Sequence, residues 1–125
     1  MYWLPAIFWM AVIFYLSGRT DNELHEFLPL IDNFNPGHIL AYFVLALCFW
    51  GALIKYRHRR PYVKAVIFSI LYGVSDELHQ YFVPTRQADV WDLVRDLAGT
   101  LLALGVAHLI EQRKKKSVKS ERATP

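Results

Sequence analysis

Apolar residues in this chain gather into four blocks separated by short polar stretches. The first runs from Tyr2 to about Ser17 without one charged residue. The second, from about Pro36 to Ile54, is interrupted only by the titratable His38. The third, from about Ala65 to Val83, carries Asp76, Glu77 and His79 in its second half. The fourth, from about Val90 to Ile110, carries Asp92, Arg95 and Asp96 in its first third. A helix of about 20 residues crosses the roughly 30 Å of hydrocarbon in a bilayer. The blocks therefore predict an all-α fold, an integral membrane four-helix bundle over residues 1–111 with spans of about 2–17, 36–54, 65–83 and 90–110. Charge is costly in hydrocarbon, so the polar residues of the last two spans must face other helices or lie near the interface.

Charge placement orients the bundle. Eleven of the fourteen Lys and Arg residues occupy two places: Lys55, Arg57, Arg59, Arg60 and Lys64 after the second block, and Arg113, Lys114, Lys115, Lys116, Lys119 and Arg122 at the end. Basic residues favour the cytoplasmic side. Two spans separate the clusters, so both fall on one side, and both termini are expected in the cytoplasm. The stretches 18–35 and 84–89 then face outward, and the first of these holds the acids Asp21, Glu23, Glu26 and Asp32. Residues 112–125 read as a basic, disordered cytoplasmic tail able to touch anionic headgroups. Residues 1–18 lack both a basic n-region and a small-x-small cleavage site, so they read as a first helix that is kept.

Composition agrees. With 54% apolar and 15% aromatic residues, a water-soluble domain of 125 residues would expose large greasy patches. Cys48 is the single cysteine, which excludes an internal disulfide. Trp3, Trp9, Trp50 and Trp91 lie mostly near the expected interfaces, where indoles settle.

The polar residues inside the blocks share helix faces. Gly73, Glu77 and Gln80 are spaced i, i+4, i+7; Asp89, Asp92, Asp96, Gly99 and Ala103 line another face; His38 and Tyr42 are i, i+4; Ser17 ends the first span. At about 1.5 Å per residue, Glu77 lies roughly 18 Å above the inner end of its span, and Asp96 and Tyr42 roughly 9 Å below the outer end. These depths coincide in one polar layer in the outer half of the bundle, with an apolar inner half. A channel would be polar through both halves; this pattern is a bowl open outward, with Arg86 and Gln87 at its rim. Glu77, His38, Asp92 and Asp96 are the candidate acid–base groups. Arg86 offers a bidentate fork for phosphate or carboxylate, and Gln80, Tyr42, Ser17 and Asp89 complete the binding side. Each has a structural alternative. Glu77 could pair with Arg95 or Tyr42. The acids of the fourth span could serve its helix N-terminus, Asp89 as a cap. Asp76 and His79 are placed on a different side from Glu77, and Gly99 and Ala103 read as points of close helix contact. No spacing supports a metal site, and no cofactor is expected.

Ser75-Asp76-Glu77-Leu78-His79-Gln80, Pro84-Thr85-Arg86-Gln87-Ala88-Asp89, Asp92 and Asp96-Leu97-Ala98-Gly99 together resemble the signature of VanZ-like proteins. Phe14-Tyr15-Leu16-Ser17 and the His38-x-x-x-Tyr42 step also match, so the likeness covers the chain except its tail. Phe34-Asn35 stands where the family often has Asp-Lys, and Asp96 where many members have Asn. The resemblance implies a role in the cell envelope; the founding member is linked to low-level resistance to teicoplanin, a lipoglycopeptide that acts at the outer membrane face. Three functions stay open: an enzyme modifying a membrane lipid or lipid-linked envelope precursor; a module that binds such a lipid or an amphiphilic drug without turnover; and a structural subunit with a membrane-protein partner. No nucleic-acid partner is expected.

Overall fold

The computed structural model describes residues 1–19, 35–84 and 88–124. They form four helices: α1 (Leu4–Ser17), α2 (Asn35–Lys55), α3 (Pro61–Tyr81) and α4 (Val90–Ala123), with no strand among them. Gly37–Lys55 of α2 and α4 are long and apolar enough to cross a membrane; α1 is apolar but shorter, at 14 residues. α3 has the length but carries Lys64, Asp76 and Glu77.

α2 and α4 form the most extensive pair, α3 packs against both, and α1 lies against α2 and α3. Small residues set the spacing. Ala46, Ala52, Ala65, Ala103, Ala107 and Thr100 are buried between helices, as close approach of helix backbones requires. A Cβ built on Gly99 would overlap the Ile39 carbonyl oxygen and lie 3.0 Å from its carbon, so α4 runs directly over the α2 backbone there.

The core divides in two. Toward the end bearing the α2–α3 loop it is apolar: Ala6, Leu45, Phe49, Leu53, Ala65 and Leu104, with Trp3 and Phe68 packed alongside. Toward the other end it is polar, burying His38, Asp76, Glu77, Gln80 and Asp96. The outside is the converse, with Phe8, Leu40, Leu71, Leu78, Leu101 and Leu109 more than half exposed. Water-soluble bundles bury such side chains and expose charge; patches of this extent mark surfaces that meet something other than water.

Local chemistry explains the helix ends. α2 stops in a Schellman pair, Arg57 N–H to the Ile54 carbonyl at 2.9 Å and His58 N–H to the Leu53 carbonyl at 2.9 Å. The C′ residue of that motif must be left-handed, and Arg57 takes φ 56° where glycine is usual. Pro61 opens α3 at its first turn, where the missing N–H costs nothing. Asp89 caps α4, its carboxylate accepting from Trp91 N–H at 3.0 Å.

One expectation is corrected. Residues 112–125 are not a disordered tail as far as Ala123: α4 continues through them as an exposed helix. The run from Glu111 to Arg122 contains no Gly or Pro, is rich in Lys, and gains an i,i+4 pair, Glu111–Lys115 at 3.0 Å. Tyr62 O–H also donates to Glu111 from α3, and together these partners hold the Glu111 carboxyl below the usual carboxylate range. Asp76, placed on a different side of α3 from Glu77, is covered as well. Both are buried, because α3 touches three helices and its covered arc spans adjacent positions.

Candidate functional site

The polar layer is assembled from all four helices. His38 sits in the first turn of α2 and points at α4. Its Nδ1 lies 3.0 Å from Asp96 Oδ1, a hydrogen bond, and its Nε2 lies 3.6 Å from Asp92 Oδ2. Asp92 and Asp96 are one turn apart, which puts both carboxylates on the α4 face that meets the imidazole. The other oxygen of Asp92 is taken by Arg95 Nη1. Asp96 is 3% exposed, and its Oδ2 has no hydrogen-bond partner among the described residues. One turn below His38, Tyr42 is fully buried, its hydroxyl without a hydrogen-bond partner among the described residues.

On α3, Gly73, Asp76, Glu77 and Gln80 are buried together with Ser69. Glu77 Oε2 accepts the backbone N–H of Asp89 at 3.0 Å, joining the end of α3 to the start of α4, while Oε1 is buried without a hydrogen-bond partner among the described residues. Gln80 Nε2 approaches Ser17 Oγ at 3.4 Å, which brings α1 into the layer. Gly73 lets α3 come close: a Cβ there would stand 3.1 Å from Asp96 Oδ2 and 3.6 Å from the Tyr42 ring.

Each predicted residue among those described thus has a place. His38, Asp92 and Asp96 form one linked group; Glu77 and Asp89 form another; Ser17 and Gln80 a third; and Tyr42 lies beneath His38. Arg86 and Gln87, expected at the rim, lie outside the described residues, as do the acids of the first outer loop. Arg95 pairs with Asp92 rather than Glu77, and Tyr42 makes no hydrogen bond to Glu77. His79 stacks on Phe14 of α1, ring centroids 4.3 Å apart, with Gly18 beside it. Ser69 and Thr100 were missed. The spacing could have found them, since Ser69 precedes Gly73 by one turn and Thr100 follows Asp96 by one, its Oγ1 donating to the Asp96 carbonyl at 2.9 Å.

The comparisons with known proteins meet this arrangement. Residues 2–111 match the family model described as VanZ/LLP1. The chain belongs to the VanZ/LLP1 family. The matched span contains every residue of the polar layer and ends where α4 leaves the bundle. An uncharacterized protein of Schizosaccharomyces pombe is 27% identical over 95 residues, covering 76% of this chain and 59% of that protein. The chain therefore spans about three fifths of the length of that relative. No solved structure matches.

In chemical terms this VanZ/LLP1 layer holds an imidazole oriented through one nitrogen by a buried carboxylate. The 3.6 Å separation at the other nitrogen is too long for a hydrogen bond, so Nε2 keeps its capacity to exchange a proton. Glu77 is likewise anchored through one oxygen, and its other has no hydrogen-bond partner among the described residues. Among the described residues no group of three or more His, Cys, Asp or Glu is arranged to hold a metal ion.

Proposed function

We propose that this VanZ/LLP1 protein spans the cell membrane four times with both ends in the cytoplasm. Its outward-facing polar layer binds a lipid or lipid-linked envelope component and transfers a proton on it. The observation carrying the reading is the buried His38–Asp96 pair, 3.0 Å long, inside a bundle whose outer surface is apolar. Burying such a group costs free energy that packing alone does not require, and ionisable groups within membrane helices usually mark a functional path. In this scheme Asp96 orients His38, whose Nε2 acts as base; the unengaged Glu77 oxygen acts as acid or hydrogen-bonds the substrate. Arg86 holds a phosphate or carboxylate of the substrate, and Gln80, Tyr42, Ser17 and Asp89 shape the site. The four-span topology is supported by α2 and α4, by the apolar exterior, and by the two basic clusters. Through its effect on the envelope, the activity alters susceptibility to glycopeptides such as teicoplanin.

A second reading, binding without turnover, is favoured by one feature: both ring nitrogens of His38 face carboxylates. Mass spectrometry of envelope lipids and lipid-linked precursors separates the two. The strains are a deletion, the wild type, His38→Gln and Glu77→Gln, at matched membrane abundance. The enzymatic reading expects a species present only with wild type and lost in both variants. Four identical profiles would leave binding as the function, and Glu77→Gln would then retain the phenotype.

A further inference from the structure

Past Glu111 the α4 helix leaves the bundle and continues alone to Ala123, with every side chain from Gln112 onward exposed. Six cations lie on this stretch against one acid, Glu121. They are not spread evenly. Glu111, Lys115, Val118, Lys119 and Arg122 follow i, i+4, i+7, i+8, i+11 spacing and so share a face. Lys114 borders that face, and with Lys115, Val118, Lys119 and Arg122 it lines a shallow groove along the rod. Arg113 and Lys116 lie across the helix. Val118, the one apolar residue between Gln112 and Arg122, sits within the basic stripe and is 48% exposed.

Glu111 fixes where the stripe points. It accepts from Tyr62 in the first turn of α3 and pairs with Lys115 at 3.0 Å. The stripe therefore prolongs the α3-facing side of α4, and its foot stands beside the start of α3, which the basic α2–α3 loop precedes.

Anionic headgroups and acidic side chains both complement such a face, and distance separates them. The stretch from Glu111 to Arg122 holds no Gly or Pro to bend it. At about 1.5 Å per residue, Lys119 stands roughly 12 Å and Arg122 roughly 16 Å beyond Glu111. A tilt of about 20° shortens these heights little. Both exceed the roughly 8 Å over which exposed charges act in physiological salt, and the pull of an anionic leaflet fades within that length. The loop arginines reach headgroups; the far half of the stripe does not. Lys115 and Lys119 also form a like-charge i,i+4 pair, which costs helix stability until an anion sits against it.

We propose that the stripe of Lys115, Val118, Lys119 and Arg122 is a docking face for an acidic amphipathic helix of a partner protein. Carboxylates of the partner meet the three cations, and an apolar side chain among them covers Val118. The stripe is about 10 Å long, or two turns, so the matching carboxylates recur at i, i+4 and i+7. The face rests on the membrane reading above, which sets its height over the lipid, and is independent of the chemistry proposed for the polar layer.

The test uses the full chain in phosphatidylcholine nanodiscs and two fluorescein-labelled peptides. One is an alanine-rich helix with glutamates along one face around a single leucine. The other has the same composition with the glutamates spread around the helix. Fluorescence anisotropy is expected to show the patterned peptide binding about fivefold or more tighter, with affinity falling as salt rises. Lys119→Glu with Arg122→Glu is expected to weaken that binding by about tenfold or more, and to bind a lysine-faced peptide instead. Arg113→Glu with Lys116→Glu makes the same change in net charge on the other side and should cost less than about twofold. Equal affinity for the two glutamate peptides overturns the proposal, as does equal loss from the two double variants. A fluorophore at Ser120→Cys, exposed and away from the stripe, in a Cys48→Ala background, checks the other occupant. It is expected to keep its intensity when brominated phosphatidylserine is added to the nanodisc; quenching makes lipid the occupant and overturns the acidic partner. If the charge-reversed variants fail to accumulate, the two-peptide comparison on the wild type decides alone. Identical envelope lipids in wild type and His38→Gln would remove the proton-transfer reading and leave this face standing, and equal peptide affinities would remove the face and leave that reading.

Discussion

Gly99 has no room for a side chain, and the whole site depends on that. Its Cα lies against the Ile39 backbone, one residue from His38, so the α2–α4 separation that brings His38 to Asp96 is set at this point. Gly99→Ala is expected to destabilise the bundle by about 1–3 kcal/mol or more through forced backbone separation. Gly105, on the same helix, has nothing within 4 Å of a built Cβ. There the same substitution should be neutral or add up to about 1 kcal/mol of helix propensity. Thermal unfolding of both variants in detergent, followed by circular dichroism, checks the contrast; a similar loss in each would remove the close-contact explanation. Individual residues were legible to different degrees. His38, Glu77, Asp92 and Asp96 stand out in the sequence because a charge inside an apolar block has few bland uses. The burial of Asp76 is not legible there, because it depends on how many neighbours α3 has, and periodicity is silent on that. The pairing of Arg95 with Asp92 rather than Glu77 likewise depends on a helix rotation that spacing leaves open.

Helix ends carry a second set of consequences. Asp89 satisfies Trp91 N–H with its carboxylate and gives its own N–H to Glu77, so one residue both caps α4 and clamps it to α3. Asp89→Ala is expected to lower stability by about 1 kcal/mol, as the loss of an N-cap does. The Glu77 contact, made through the backbone, should survive. A Pro at the same position would remove both, and comparing the two by thermal unfolding separates cap from clamp. At the other end of the bundle, Arg57 occupies the left-handed C′ position of α2. Arg57→Gly should relieve up to about 1 kcal/mol of backbone strain. A lower melting temperature in that variant would mean that the Arg57 side chain contributes more than its conformation costs. Helix positions were readable to within a few residues from the apolar blocks. The course of α4 beyond Ile110 was not, because a polar basic stretch reads equally as solvated helix or as coil until the helix preceding it is known to continue.

The molecule as a whole is inverted relative to a water-soluble bundle, with acids, histidine and amides inside and leucine, isoleucine and phenylalanine outside. The polar interior is confined to one end: the half beside the basic α2–α3 loop has an ordinary apolar core, and the half beside the α3–α4 connection holds the charges. That division was visible in sequence as polar residues at matching depth in successive blocks, and membership of the VanZ/LLP1 family over residues 2–111 is consistent with it. The proposed function requires the polar end to face outward. Single cysteines placed in a Cys48→Ala background, at Ala88 beside the polar end and at His58 and Ser117 beside the basic clusters, report this in intact cells treated with a membrane-impermeant maleimide. Ala88→Cys is expected to label in intact cells, and His58→Cys and Ser117→Cys only after the membrane is opened. Labelling of His58→Cys or Ser117→Cys in intact cells, with Ala88→Cys protected, would place the polar layer on the cytoplasmic side and overturn the outward-facing site.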